Sequence, residues 1–142
     1  MRTQFEALLA HALTAGTRFP SHYLDDLRRP GEFPSFVRAL PRADYSADGG
    51  AAIRGFVLSG AGLQVVFNEN DEEVTFEPHR HAQSFGIVLR GECELVIDGV
   101  STTYRAGETY HVPGGVLHLA RQSANYQDIV VFHEPQRVPT AP

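Results

Sequence analysis

Between Ile53 and His133 the chain is a succession of short strand-like runs at close, regular spacing, and this rhythm limits the fold more than any other feature. Runs of this length, separated by turn residues, predict an antiparallel sandwich or barrel. They are Ile53 to Leu58, Leu63 to Phe67, Val74 to Phe76, Gly86 to Arg90, Glu92 to Ile97, Val100 to Arg105, Thr109 to Val112, Leu117 to Arg121 and Ile129 to His133. Asn68 to Glu73 reads as a polar turn. Asp98-Gly99 reads as a two-residue type I′ hairpin turn, because both central positions need positive φ.

The first part of the chain has a different period. Thr3 and Glu6 have capping-box spacing, Phe5, Leu8, Leu9, Ala12 and Leu13 form one apolar stripe, and Gly16 supplies a stop, which together predict a helix. A second short helix is expected from Ser21 to Arg29, ended by Pro30-Gly31. Such helices are marginal alone, so they should pack on the outside of the β portion or against a second subunit in a homodimer. Prolines and the Gly49-Gly50 pair mark residues 33–50 as a linker with one turn near Ser35 to Leu40. The expected organisation is a helical extension and linker over 1–45, one β domain over 46–136, and a frayed tail over 137–142.

Charge and hydropathy exclude some partners. A net charge of −5 over 142 residues, with no basic stripe, argues against nucleic acid. Apolar stretches such as Gly86 to Leu89 and Ile129 to Phe132 are too short to cross a bilayer, so no membrane partner is expected. Glu6 and His11 interrupt any secretory-type apolar segment, which makes a cytoplasmic location the expectation. Cys93 is the one cysteine, so bracing must come from packing or from a metal.

Five of the seven histidines, His79, His81, His111, His118 and His133, fall among the strands. In an extended chain His79 and His81 share a face about 6.5 Å apart, and Pro78 favours the extended form. An isolated His-x-His is weak evidence for a site. The wider context is more specific: His79 to Gly91 resembles the first motif of the cupin superfamily, His-x-His followed by an acidic or amide ligand and then glycine. Gly107-Glu108-Thr109-Tyr110-His111-Val112-Pro113-Gly114-Gly115-Val116-Leu117-His118 resembles the second, with its glycine, proline, glycine and histidine in register.

This resemblance implies a jelly-roll β-barrel, so the fold class expected is all-β with a short N-terminal helical extension. It also implies metal-ligand roles for His79, His81 and His118. The position of the family's acidic or amide ligand falls at Ser84, in a segment one residue short, and the adjacent Gln83 is the candidate fourth ligand or the holder of a metal-bound water. The second motif's closing asparagine falls at Gln122. His111 is the candidate general acid or base, against the plainer reading of an ordinary strand histidine. Cys93 reads as a buried, inert thiol.

The expected cofactor is one divalent ion, with iron, zinc, manganese, nickel and copper all compatible with imidazole. Three neutral imidazoles leave its +2 charge intact, which favours Lewis-acid chemistry on a small molecule; with iron the set resembles the three-histidine sites of cupin dioxygenases. The alternative is a non-enzymatic cupin that binds or senses a small metabolite.

Overall fold

The computed structural model describes residues 33–48 and 52–141. The two expected N-terminal helices, with Phe5, Leu8, Leu9, His11 and His22, lie outside the described residues. A four-residue helix α1 (Ser35–Arg38) stands where a turn was expected. The strands that follow are β1 (Arg54–Gly60), β2 (Leu63–Glu69), β3 (Val74–His79), β4 (Ser84–Arg90), β5 (Glu92–Ile97), β6 (Val100–Arg105), β7 (Thr109–Val112), β8 (His118–Gln122) and β9 (Gln127–Phe132).

All pairings are antiparallel, in a five-stranded sheet of order β1-β2-β9-β4-β7 and a four-stranded sheet of order β3-β8-β5-β6. From β2 onward the chain passes repeatedly between the two sheets, a jelly-roll-like path. Asp98 and Gly99 both have positive φ, 51° and 75°, and join Ile97 to its partner Val100 as the hairpin reading required.

Strand alternation sorts the apolar residues into two layers. Val57, Val66, Val88 and Val130 of the larger sheet meet Val74, Phe76, Cys93 and Leu95 of the smaller one, and this is the inter-sheet core. The larger sheet's opposite face carries Phe56, Val65, Phe67, Phe85, Ile87 and Val131, with Phe33 and Val37 packed on it. Phe33 meets the Phe56 and Phe67 rings edge-on at 6.3 and 5.7 Å.

Three expectations about the architecture change. The barrel is not closed: among the described residues the sheets share no ladder. β3 is an edge strand, and Pro78, which has no N–H to give a ladder, lies in the register shift between Phe76 and His79. The edge of β1 is covered differently. Ala43 donates its N–H to the Gly55 carbonyl (2.9 Å), and Val57 donates to that of Pro41 (2.8 Å).

The stretch expected to be a linker is therefore an added strand-like edge. The tail expected to fray is docked beside it, with Asp44 N–H donating to the Pro139 carbonyl and Ala141 N–H to that of Arg42, both at 2.8 Å. Val138 is buried, and the Gln64 side chain clamps it from both sides: Nε2 donates to its carbonyl (3.0 Å) and Oε1 accepts its N–H (2.8 Å).

Candidate metal centre

The end of β3 and the start of β8 lie against each other, with His79 paired to His118. His81 is not on the strand, as its spacing suggested, but two residues past it in the connection to β4. The imidazoles still converge: ring centroids are 4.3 Å apart for His79 and His118, 4.6 Å for His81 and His118, and 5.2 Å for His79 and His81. Their nearest potential ligand nitrogens all fall within 4.8 Å of one another, and among the described residues the group contains no carboxylate.

The hydrogen bonds fix what each ring offers. His79 Nδ1 lies 2.8 Å from the Glu77 carbonyl, His81 Nδ1 2.6 Å from that of Ala82, and His118 Nδ1 3.0 Å from that of Val116. A carbonyl only accepts, so each Nδ1 carries the hydrogen and each Nε2 keeps its lone pair. Backbone carbonyls that orient the rings in this way are the outer partners a histidine metal site requires. Burial pulls the His81 imidazole down to about 4, and it also lowers His118. Both effects favour the neutral ring, the form that ligates. The donor set fits a divalent cation.

Behind the imidazoles a cavity of about 60 Å³ runs between the sheets. One wall is a polar network built on Asp128, which is fully buried. Tyr110 and Tyr126 donate their hydroxyls to its Oδ2 at 2.7 and 2.8 Å, and Asn68 Nδ2 donates to Oδ1 at 3.0 Å. Tyr45 in turn donates to Asn68 Oδ1 at 2.7 Å. Burial raises the Asp128 carboxyl above its ordinary value, and the three donors oppose that rise. Cys93 also lines the cavity, and burial pushes its thiol up to about 12, which makes it inert as expected. Gln122 borders the same space.

The remaining candidates are placed elsewhere. Ser84 is buried and lines the cavity, whereas Gln83 does not. Gln83 Nε2 donates to His133 Nδ1 (2.7 Å), and Gln83 Oε1 accepts from His111 Nε2 (3.3 Å). Its amide is thus engaged by two other histidines, outside the cavity. His111, the candidate general acid or base, lies on that side as well. Tyr110 and Val112 of β7 face the cavity, so alternation turns His111 to the other side, where it stacks on Phe85 at 4.3 Å and 13°. Asp128 is the cavity group that pattern reading did not single out. A charged residue directly before the apolar run of β9 was the available signal.

The family model of the cupin domain matches residues 65–125. Among solved structures, an RmlC-like cupin from Shewanella frigidimarina NCIMB 400 aligns at 26% identity and a TM-score of 0.60, over 75% of this chain and 94% of that one. KdgF from Halomonas sp. aligns at 22% and 0.53, over 61% and 81%. A cupin superfamily protein from Desulfitobacterium hafniense DCB-2 aligns at 13% and 0.54, over 74% and 94%. The last two likenesses concern the fold alone. No curated protein matches the chain.

Proposed function

We propose, from the cupin-domain match over residues 65–125 and the likeness to an RmlC-like cupin, that this chain is a cupin-superfamily protein that holds one divalent metal ion on the Nε2 atoms of His79, His81 and His118 and presents it to a small molecule in the cavity behind. The observation that carries the reading is the common orientation of the three rings, each with Nδ1–H spent on a backbone carbonyl. Iron, zinc, manganese, nickel and copper all suit such donors. With no carboxylate in the set, the ion would supply Lewis acidity undiminished by ligand charge. The chain's own residues hold and orient: the carbonyls of Glu77, Ala82 and Val116 fix the rings, and the network around Asp128 stiffens the wall opposite.

A second reading, binding or sensing without turnover, draws on that network. The Asp128 oxygens already accept three hydrogen bonds, and the Cys93 thiol stays protonated. The cavity's ionisable groups are thus engaged rather than poised for proton transfer.

Elemental analysis of protein purified without an affinity tag tests the metal reading. Close to one equivalent of a transition metal is expected. His79→Ala, His81→Ala and His118→Ala should each weaken retention by more than the roughly 10–100-fold that loss of an outer partner costs. Full stoichiometric metal in all three variants would reject the ligand set.

A further inference from the structure

Gln122 is 5% exposed and lines the same cavity as the imidazoles, yet its Oε1 has no hydrogen-bond partner. Leaving a buried acceptor unpaired is costly, so such an atom calls for a donor brought by something else. Its place on β8 says where. His118, Ala120 and Gln122 alternate inward along the strand, which sets Gln122 about 13 Å along it from His118. Ala120 between them is small, and Leu95, Phe76 and Val130 make the intervening walls apolar. At the histidine end Arg137 also lines the cavity. Its guanidinium sits 5.7 Å over the Phe132 ring, which itself meets His81 edge-on at 5.2 Å.

We propose that Gln122 is a specificity-determining residue for a slender carboxylic acid, whose carboxylate lies at the imidazoles near Arg137 and whose far end donates a hydroxyl hydrogen bond to Gln122 Oε1. Guanidinium and metal at one end select an anion. The amide oxygen at the other end accepts, so it selects a donor, and a hydroxyl supplies one without bringing a second charge out of water. The apolar middle selects an unbranched aliphatic link. This inference rests on the metal reading above for its carboxylate end, and on Gln122 alone for its hydroxyl end.

The test uses ω-hydroxyalkanoates of about four to eight carbons, each paired with the isostere in which methyl replaces the hydroxyl. Each pair is titrated calorimetrically into the zinc-loaded full chain, with metal content measured on the same sample. At least one hydroxy acid should bind about 10- to 100-fold more tightly than its isostere. Gln122→Leu, or Gln122→Met if the leucine variant does not fold, should bring the pair within about twofold through loss of hydroxy-acid affinity, with zinc content unchanged. Equal binding of both members to the wild type would mean that an ordered water satisfies Oε1, and it overturns the proposal. Failure of either to bind, or a preference that survives the substitution, overturns it as well. If zinc is not retained, the metal reading has failed; the same pairs titrated into the metal-free chain still decide the role of Gln122.

Discussion

Gly86 and Tyr110 face each other across β4 and β7, and the tyrosine ring fills the volume a side chain at 86 would need: a Cβ there would fall 2.1 Å from Tyr110 Cζ. The small residue lets the ring lie flat against the strand, and from that position its hydroxyl reaches Asp128.

Gly86→Ala should therefore do more than crowd the core. The ring must move, and Asp128 then loses one of its three donors in a buried setting. Overpacking and a lost buried hydrogen bond together should cost about 2–4 kcal/mol. Urea unfolding measures it. An unchanged midpoint would mean that Tyr110 has another place to go without releasing Asp128.

The pair also shows what could be read in advance. β5, β6 and β7 run over the expected residues, since strict alternation and the Asp98-Gly99 turn leave little freedom. Strands whose ends are polar were read short. Asn68 and Glu69 were assigned to a turn but are buried in β2, where Glu69 meets Arg38 and Arg54 at 3.1 and 3.3 Å. Gln127 and Asp128 open β9, and both are buried. A buried polar residue looks like a loop residue until its partners are known, and those partners lie up to 60 positions away. The cluster of His79, His81 and His118 was legible because motif spacing carries it. The positions of Gln83 and His111 were not legible, because each is one residue out of phase with a cavity-facing neighbour, Ser84 and Tyr110.

Cys93 offers a reporter of this core. Burial pushes its thiol up to about 12, and the Asp128 charge adds to that. Against the ordinary value near 9, this leaves roughly a thousandth of the usual thiolate at moderately alkaline pH. Its contribution to stability is thus present below pH 9 and is lost as pH rises toward 12. Iodoacetamide at pH 8.5 should label the native protein only at its unfolding rate and the urea-unfolded protein within minutes. Prompt labelling of the native state would show the inter-sheet core to be open.

Acid should act on the metal-free protein through His81. Its pKa is lowered from 6.5 to about 4, so the folded state binds fewer protons than the unfolded one. Stability from this group is complete above pH 6.5, declines as pH falls to about 4, and is flat below. His118 shifts the same way, whereas Asp128, raised by burial, runs in the opposite sense. Comparison with His81→Asn removes the shared terms. Between pH 6.5 and 4 the metal-free variant should lose less stability than the metal-free wild type. Parallel stability curves would show that His81 does not stay neutral in the fold.

The last prediction joins the tail to the site. Gln64 holds Val138 through two buried hydrogen bonds, and the preceding residue, Arg137, lines the cavity at its histidine end. Gln64→Leu keeps the volume near that of glutamine but leaves the Val138 N–H and carbonyl without these partners. If the tail stayed docked, the cost would be about 2–4 kcal/mol. Undocking is the easier escape, since it returns both groups to water and gives up little more than the burial of Val138, about 1.5–3 kcal/mol. The variant should therefore remain folded with a modestly lower melting temperature, and trypsin should cut after Arg137 much sooner than in the wild type. Metal content should not change, because none of the three imidazoles depends on the tail for its orienting carbonyl. Carboxylate affinity should fall as Arg137 leaves the mouth. A variant with a trypsin-sensitive tail but undiminished carboxylate affinity would remove Arg137 from the site and leave the metal alone to select the anion.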